Sequence, residues 1–303
     1  YNISAISGAD IQAQNIVDSY ELMRNIAGIS VVDRGYRNQG HMNSIVIRGV
    51  NVDNGVNGDV GLSAVSTVAT YVDNTPIFAN FLLKDVERVE VLRGPQGTLY
   101  GSGALGGAVR YIMRKPDPSG FDAEARGSIG QTDGSDGNNL SGDVMLNFPI
   151  GANAAFRISG GIIDNDGIID YVNLYQLGSN GKPVVLDDTG TCVDNNSASL
   201  SPEEVAFNDS CYTSEKDADS VEITHLRASF LWDATENLRF QLTYQMQEDE
   251  IGGRRSTTKG ADFFGNVYGD DDNGSTFLEP SERDVELLNL DIAWDLGFAT
   301  LTS

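Results

Sequence analysis

The sequence is poor in the residues that catalysis and metal binding draw on. Its 303 residues include 2 histidines, His41 and His225, and 2 cysteines, Cys192 and Cys211. No serine or cysteine elbow and no metal-ligand spacing accompanies them. Without a nucleophile–base constellation, neither enzyme activity nor a bound metal or cofactor is expected. Cations are scarce too: 20 Lys and Arg stand against 44 Asp and Glu, a formal charge of -24. That balance repels a polyanion and excludes nucleic acid as a partner. No apolar run approaches the roughly 18 residues of a membrane-crossing helix. The other spanning solution, a closed β-barrel, stays open, because it hides its hydrophobicity in alternation. The chain begins at Tyr1 without Met and enters patterned sequence at once, so a leader segment is expected upstream.

What is abundant is glycine, 34 residues or about 11% against a usual ~7%. Such a content favours turns and closely approached backbone over long helices. Cys192 and Cys211 lie in a polar stretch rich in Gly, Asn and Ser. They suggest a disulfide closing a modest loop in an oxidising compartment, with two unrelated thiols as the alternative.

Two halves have different patterns. Residues 1–116 read as a compact mixed domain. DSYELMRNIA at 18–27 carries a helix signal, with Asp18 or Ser19 as cap, apolar Leu22, Met23 and Ile26, and Gly28 as terminator. Short β-rich runs follow at 29–32, 44–49, 68–73 and 86–94. A last segment, GGAVRYIMRKP at 106–116, ends at Pro116, with Pro118 marking a boundary.

From residue 121 onward the sequence alternates in polarity over strand-length segments: FDAEARGSIGQ, LSGDVMLNFPI, AAFRISGGIID, VEITHLRASFLWD, NLRFQLTYQMQ and VELLNLDIAWDL. In the fourth, Thr224, Leu226, Ala228, Phe230 and Trp232 share one face, and Ile223, His225, Arg227 and Ser229 the other. A period of two is what a strand with one apolar and one wet face requires. The connections alternate in length. Tight turns at 151–155, 234–237 and 296–297 are interleaved with TDGSDGN at 132–138 and two long polar excursions, about 165–219 and 250–282. Outer-membrane barrels put short turns on the periplasmic side and long loops outside, whereas a soluble sandwich has no reason to. Trp232 and Trp294 sit just before tight turns, where a periplasmic aromatic girdle falls; in a sandwich they would be core residues. FATLTS at 298–303 reads as a seventh strand. Seven strands cannot enclose a plug, which takes about 22, so the chain is expected to be part of a longer barrel.

The most informative stretch is VERVEVLRGPQGTLYGSGALGGAVRYI, residues 86–112. It resembles the plug segment of TonB-dependent outer-membrane receptors: a strand ending in LRGPQ, a glycine-rich turn YGSGALGG, and a returning strand. ISAISGADIQ, LMRNIAGISV and SIVIRGV precede it in the family's order. The fold expected is therefore a mixed α+β plug at 1–116 and, at 117–303, the N-terminal part of an antiparallel transmembrane β-barrel. Val89 and Val91 suit the plug core, with Arg88 and Glu90 pointing away. Arg110 stands where many members carry Asn and is given no family role. Gly101, Gly103 and Gly106 also spell G-x-G-x-x-G. A dinucleotide site needs a helix next, and AVRYIM instead alternates like a strand up to Pro116.

The resemblance implies energised import of a scarce solute through the outer membrane of a Gram-negative bacterium. Its partners would be the TonB–ExbB–ExbD complex, reached through a TonB box upstream of Tyr1, and outer-membrane lipid and lipopolysaccharide. A ferric siderophore is the commonest cargo; oligosaccharide, haem and cobalamin use the same scaffold. A passive porin or surface-binding protein is the weaker alternative, since a plug occludes the lumen. Arg48 and Arg93 match plug arginines that pair with barrel glutamates, here expected beyond Ser303; local carbonyls are the other option. Arg34, Tyr36, Arg37, Gln39 and His41, with Phe78 and Phe81, match plug apices that touch ligand, or else form loops against the barrel wall. The acidic run Asp270, Asp271 and Asp272 offers oxygen ligands, but Gly274 is misplaced for an EF-hand and the run reads more simply as a solvated face.

Overall fold

The computed structural model describes residues 2–14, 16, 19–31, 45–50, 67–77, 81–101, 103–195, 211–261 and 267–303. The first body is a small α+β domain. Strand β1 (Asn2–Ser7) leads into helix α1 (Gly8–Ala13). Ser7 caps that helix by accepting the Asp10 N–H at 3.1 Å, which satisfies one of its orphan donors. Then come α2 (Ser19–Arg24), β2 (Ile29–Val31), β3 (Ile45–Ile47), β4 (Val68–Val72), β5 (Thr75–Pro76), β6 (Val86–Arg93), α3 (Gly97–Tyr100) and β7 (Gly107–Met113). Five strands make one sheet in the order β1-β6-β7-β4-β5, antiparallel except for β4 beside β7. Its core holds Ile11, Leu22, Met23, Ile47, Val68, Val89, Val91 and Val109, each no more than 1% exposed. Val89 and Val91 alternate inward along β6 while Glu90 turns out to meet Arg88 and Arg110 at 2.8 Å. The glycine-rich turn leads into strand β7, so no helix terminus is offered to a pyrophosphate there.

The second body is a seven-stranded antiparallel meander. Its members are β8 (Asp122–Gly130), β9 (Asn139–Ile150), β10 (Ala154–Asn165), β15 (Val221–Thr235), β16 (Leu238–Ile251), β18 (Ser281–Asp295) and β19 (Thr300–Thr302). The six alternating segments and FATLTS thus all become strands of one sheet. Between β10 and β15 lie β11 (Asp170–Tyr175), β12 (Val185–Leu186), β13 (Cys192–Val193) and β14 (Tyr212–Glu215), and β17 (Asp272–Asn273) lies between β16 and β18.

The meander is inside out relative to a soluble sheet. Ser229, Gln241, Thr243, Gln245 and Gln247 are 1–6% exposed, while Phe230, Trp232, Leu242, Leu288 and Leu290 are 38–71% exposed. Pairing registers put these apolar side chains on one continuous outer face. At its lower edge Trp232 stacks on Phe240. At its upper edge Asp164, Glu222, Glu250 and Glu282 stand directly opposite one another across four strands. Like charges in register are tolerable only in a wet environment. From Trp232 to Glu222 the strand rises ~25 Å, taking ~3.3 Å per residue and a tilt of ~40°, which is the height of an outer-membrane apolar band. Among the described residues no helix is long and apolar enough to cross a membrane; this says nothing of the strands.

The two polar excursions are more ordered than their composition predicts. They form a three-stranded sheet, β14-β11-β17, over a small core of Ile169, Tyr171, Leu174 and Ala218. Cys192, on the β12–β13 hairpin, is disulfide-bonded to Cys211 with Cα atoms 6.1 Å apart. Asp271 and Asp272 are used internally, the former through its carbonyl to Asp170 and the latter accepting the Gly269 N–H. No group of three or more metal-binding side chains occurs among the described residues.

Candidate functional site: the plug against the barrel wall

The inward polar face of the meander is covered by the α+β domain, and the contact is carried by a short run, Leu82–Asp85, just before β6. Asp85 sits at φ +54°, a left-handed geometry that Asp tolerates better than most residues. From there its carboxylate receives a two-pronged grip from Arg157 of β10, Nε at 2.7 Å and Nη2 at 2.6 Å. Both side chains are 5–6% exposed. A planar guanidinium on a carboxylate is the strongest ion-pair geometry available to a protein. Lys84 reaches Asp143 of β9 at 2.7 Å, in a wetter place. The Leu82 N–H donates to Gln247 Oε1 at 2.8 Å; Gln247 bonds Asp249, which in turn accepts from Arg283 of β18.

A second anchor lies at the same end of the plug sheet, where the Arg114 N–H donates to the Asp85 carbonyl at 3.0 Å. Arg227 of β15, 3% exposed, donates to the Arg114 carbonyl at 3.2 Å and stands 3.7 Å from Asp73. Asp73 occupies the β4–β5 turn at φ +51° and accepts the Met113 N–H at 3.0 Å. Burial pushes its carboxyl above the ordinary value, against the pull of that N–H and of Arg227. Fully buried Asn147 then clamps the connection to the barrel, accepting from Asp117 and donating to the carbonyls of Asp117 and Gly120. These are polar contacts on a polar wall, so they can be exchanged for water more readily than an apolar interface.

The residues singled out from sequence are distributed differently. Arg34, Tyr36, Arg37, Gln39, His41 and Phe78 lie outside the described residues. Phe81 is half-buried against the plug core. Arg48 adopts φ +52° beside Gly94. Arg93 donates from Nη2 to Ser4 at 2.6 Å, and its Nε is buried with no hydrogen bond. The anchors Asp73, Lys84, Asp85, Asp143, Arg157 and Gln247 were not singled out. Arg157 and Asp143 carried a signal all the same: each is a charge in the wet phase of an alternating strand. The identity of their partners carried none.

Comparison with known proteins gives the same parts. The model of the TonB-dependent receptor plug domain matches residues 1–108. The pesticin receptors of Yersinia enterocolitica and Yersinia pestis are 34% identical over 134 residues, 39% of this chain and 18% of theirs. The ferripyoverdine receptor of the Pseudomonas aeruginosa outer membrane, solved bound to ferripyoverdine, superposes over 97% of this chain and 32% of its own, with TM-score 0.58 and 13% identity. A mutant of the ferric enterobactin receptor from the same organism aligns over 98% of this chain and 39% of its own, with TM-score 0.60 and 16% identity. The siderophore receptor PirA gives 0.57 at 17% identity. At such identities these structures speak for the fold. The chain spans under a fifth of the length of the curated relatives it matches and about a third of the ferripyoverdine receptor.

Proposed function

We propose that this chain, whose first 108 residues match the TonB-dependent receptor plug domain, is part of a Gram-negative outer-membrane receptor that imports a ferric siderophore, with the TonB–ExbB–ExbD complex supplying the energy. In this reading residues 1–116 are the plug and 117–303 the N-terminal part of the barrel, in keeping with β7 ending at Met113 and β8 beginning at Asp122. The observation that carries it is the seating of a folded plug on a polar inner wall through hydrogen bonds and ion pairs, above all Asp85–Arg157. A passive pore has no use for an occluding domain, and a permanent structural core would be apolar. The role is transport rather than catalysis. The apolar outer face meets lipid, and its acidic upper margin meets the lipopolysaccharide headgroup region.

The siderophore assignment also leans on what the similar solved receptors bind; oligosaccharide, haem and cobalamin remain the other cargoes of such a scaffold. The test is receptor abundance in the outer membrane with and without iron starvation, followed by uptake of radioiron-labelled ferric complexes with and without TonB. Induction by iron starvation and TonB-dependent uptake are expected. Constant abundance and no iron uptake would move the cargo to another scarce nutrient, and uptake indifferent to TonB would favour the passive pore.

A further inference from the structure

The two polar excursions carry a feature that their own folding does not use. Three aromatic rings from three separate segments meet at the surface of the loop sheet. Tyr175 of β11 stacks on Tyr212 of β14, its direct partner in the strand register, with centroids 5.5 Å apart and planes 28° apart. Phe277, from the segment after β17, meets Tyr175 edge to face at 5.2 Å and 69°. Two steeply inclined ring planes make a corner rather than a wall. The core of this sheet is built from other residues, Ile169, Tyr171, Leu174 and Ala218, and Phe277 is left 44% exposed.

The corner is fixed in place by backbone bonds. The Tyr175 N–H donates to the Thr276 carbonyl at 2.8 Å, which sets Tyr175 beside Phe277. The Gln176 N–H donates to the Cys211 carbonyl at 3.1 Å, and Cys211, just before Tyr212, is disulfide-bonded to Cys192. Rings ordered in advance yet open to water lose little freedom on meeting a ligand, and such a patch marks a contact surface. The charge around it selects the ligand. Residues 165–219 and 250–282 hold 18 Asp and Glu against 5 Lys and Arg. Lys216, Arg254, Arg255 and Lys259 each stand at a carboxylate, of Asp136, Glu279, Asp219 and Asp270 in turn. An anion is repelled here. A bare metal ion needs an oxygen cage, and no group of three or more metal-binding side chains occurs among the described residues. A cation clothed in alkyl groups is served by both features: its charge by ring faces and surrounding carboxylates, its alkyl groups by ring surface.

We propose that the corner formed by Tyr175, Tyr212 and Phe277 binds a free organic cation through an alkylated ammonium group. The assignment goes beyond the importer reading and does not depend on which solute the receptor imports.

The test uses the full receptor in maltoside micelles and saturation-transfer NMR of choline beside its uncharged isostere, 3,3-dimethylbutan-1-ol. Choline should bind roughly tenfold more tightly than the isostere, which keeps the alkyl groups and lacks the charge. Phe277→Leu and Tyr175→Leu should each remove most of that preference, and Tyr175→Phe, which retains the ring, should preserve it. Each variant is first shown to keep the Cys192–Cys211 bridge. Equal affinity for choline and the isostere would reduce the corner to an apolar patch and overturn the proposal. Choline binding unchanged in Phe277→Leu would overturn it too, since that exposed ring is removed without touching the core of the sheet. Phosphocholine, whose phosphate meets the acidic surroundings, should bind more weakly than choline; tighter binding would overturn the free solute in favour of a lipid headgroup.

Discussion

Asp85→Asn is the perturbation that isolates the docking of the plug. Asn tolerates the same left-handed backbone, so the φ of +54° adds nothing to the difference, and the side chain keeps its shape. What changes is the charge facing Arg157, whose side chain is 5% exposed. Removing one partner of a buried pair costs about 3–5 kcal/mol, because the other charge is left without compensation. The Asn oxygen still accepts one hydrogen bond and returns roughly 1 kcal/mol. The net is about 2–4 kcal/mol, and at ~1.4 kcal/mol per factor of ten the open plug should be roughly 30- to 700-fold more populated. Hydrogen exchange of the Val89, Val91 and Val109 amides in outer-membrane vesicles reads this population, with amides of β15 and β16 as internal reference. A double variant, Asp85→Asn with Arg157→Met, removes the stranded charge and should exchange more slowly than Asp85→Asn alone. Plug amides as protected in Asp85→Asn as in wild type would refute the reasoning, as would a double variant whose cost is the sum of the two singles.

The remaining predictions concern separate parts of the molecule. Burial holds the Asp73 carboxyl above its ordinary value of 3.8, so its contribution to plug stability is full below 3.8 and is lost as pH climbs through the raised value. Asp73→Asn should flatten plug stability across that window, and a pH profile overlaying wild type there would dismiss the assignment. Leu242→Arg puts a charge in the middle of the outer apolar face, where Leu242 is 46% exposed; it should cost about 2–4 kcal/mol of barrel stability and lower assembly yield, while unchanged yield would mean that face does not meet lipid. Cys192→Ser with Cys211→Ser should weaken the loop hairpin by about 3 kcal/mol and speed proteolysis near it with barrel assembly intact; equal cleavage rates would leave the bridge without a stabilising role. Arg93→Ala should raise plug proteolysis in the whole receptor, and Arg93→Lys should not restore resistance, since a point charge cannot replace a fork; unchanged proteolysis would leave Arg93 serving only Ser4 and nearby carbonyls.

The meander was legible in the sequence because a two-residue period survives without any tertiary information. Thr224 to Trp232 and Ile223 to Ser229 separate onto two faces whatever lies beside them, and the short turns fix which ends meet. Which face would be buried was legible from the alternating loop lengths and the family resemblance rather than from the strands themselves, because alternation is the same for a sandwich and a barrel. The plug strands were visible as β-rich runs, but β1 and α1 were not, since ISAISGADIQ is too short to show a period. The loop sheet was missed for a different reason: β11, β14 and β17 are held by pairings far apart in sequence, and their small core around Tyr171 is diluted by polar residues. The anchors failed on specificity. An arginine in the wet phase of a strand announces that it needs a carboxylate, but not that Asp85 rather than Glu87 supplies it.

Polarity inversion ties these pieces into one mechanism. A barrel whose lumen is lined by Ser229, Thr243, Gln245 and Gln247 holds the plug largely by hydrogen bonds and ion pairs, with one apolar seat where Leu82 is buried among Ile163, Val221, Ile223 and Ile251. Each such bond has water as an alternative partner, so its net contribution is small while its directionality is high. Among the described residues the plug is thereby placed accurately, with Asp85–Arg157 as a buried two-pronged ion pair. A pull on β1 would load a sheet whose attachment at Asp85 lies just before β6, the strand paired with β1.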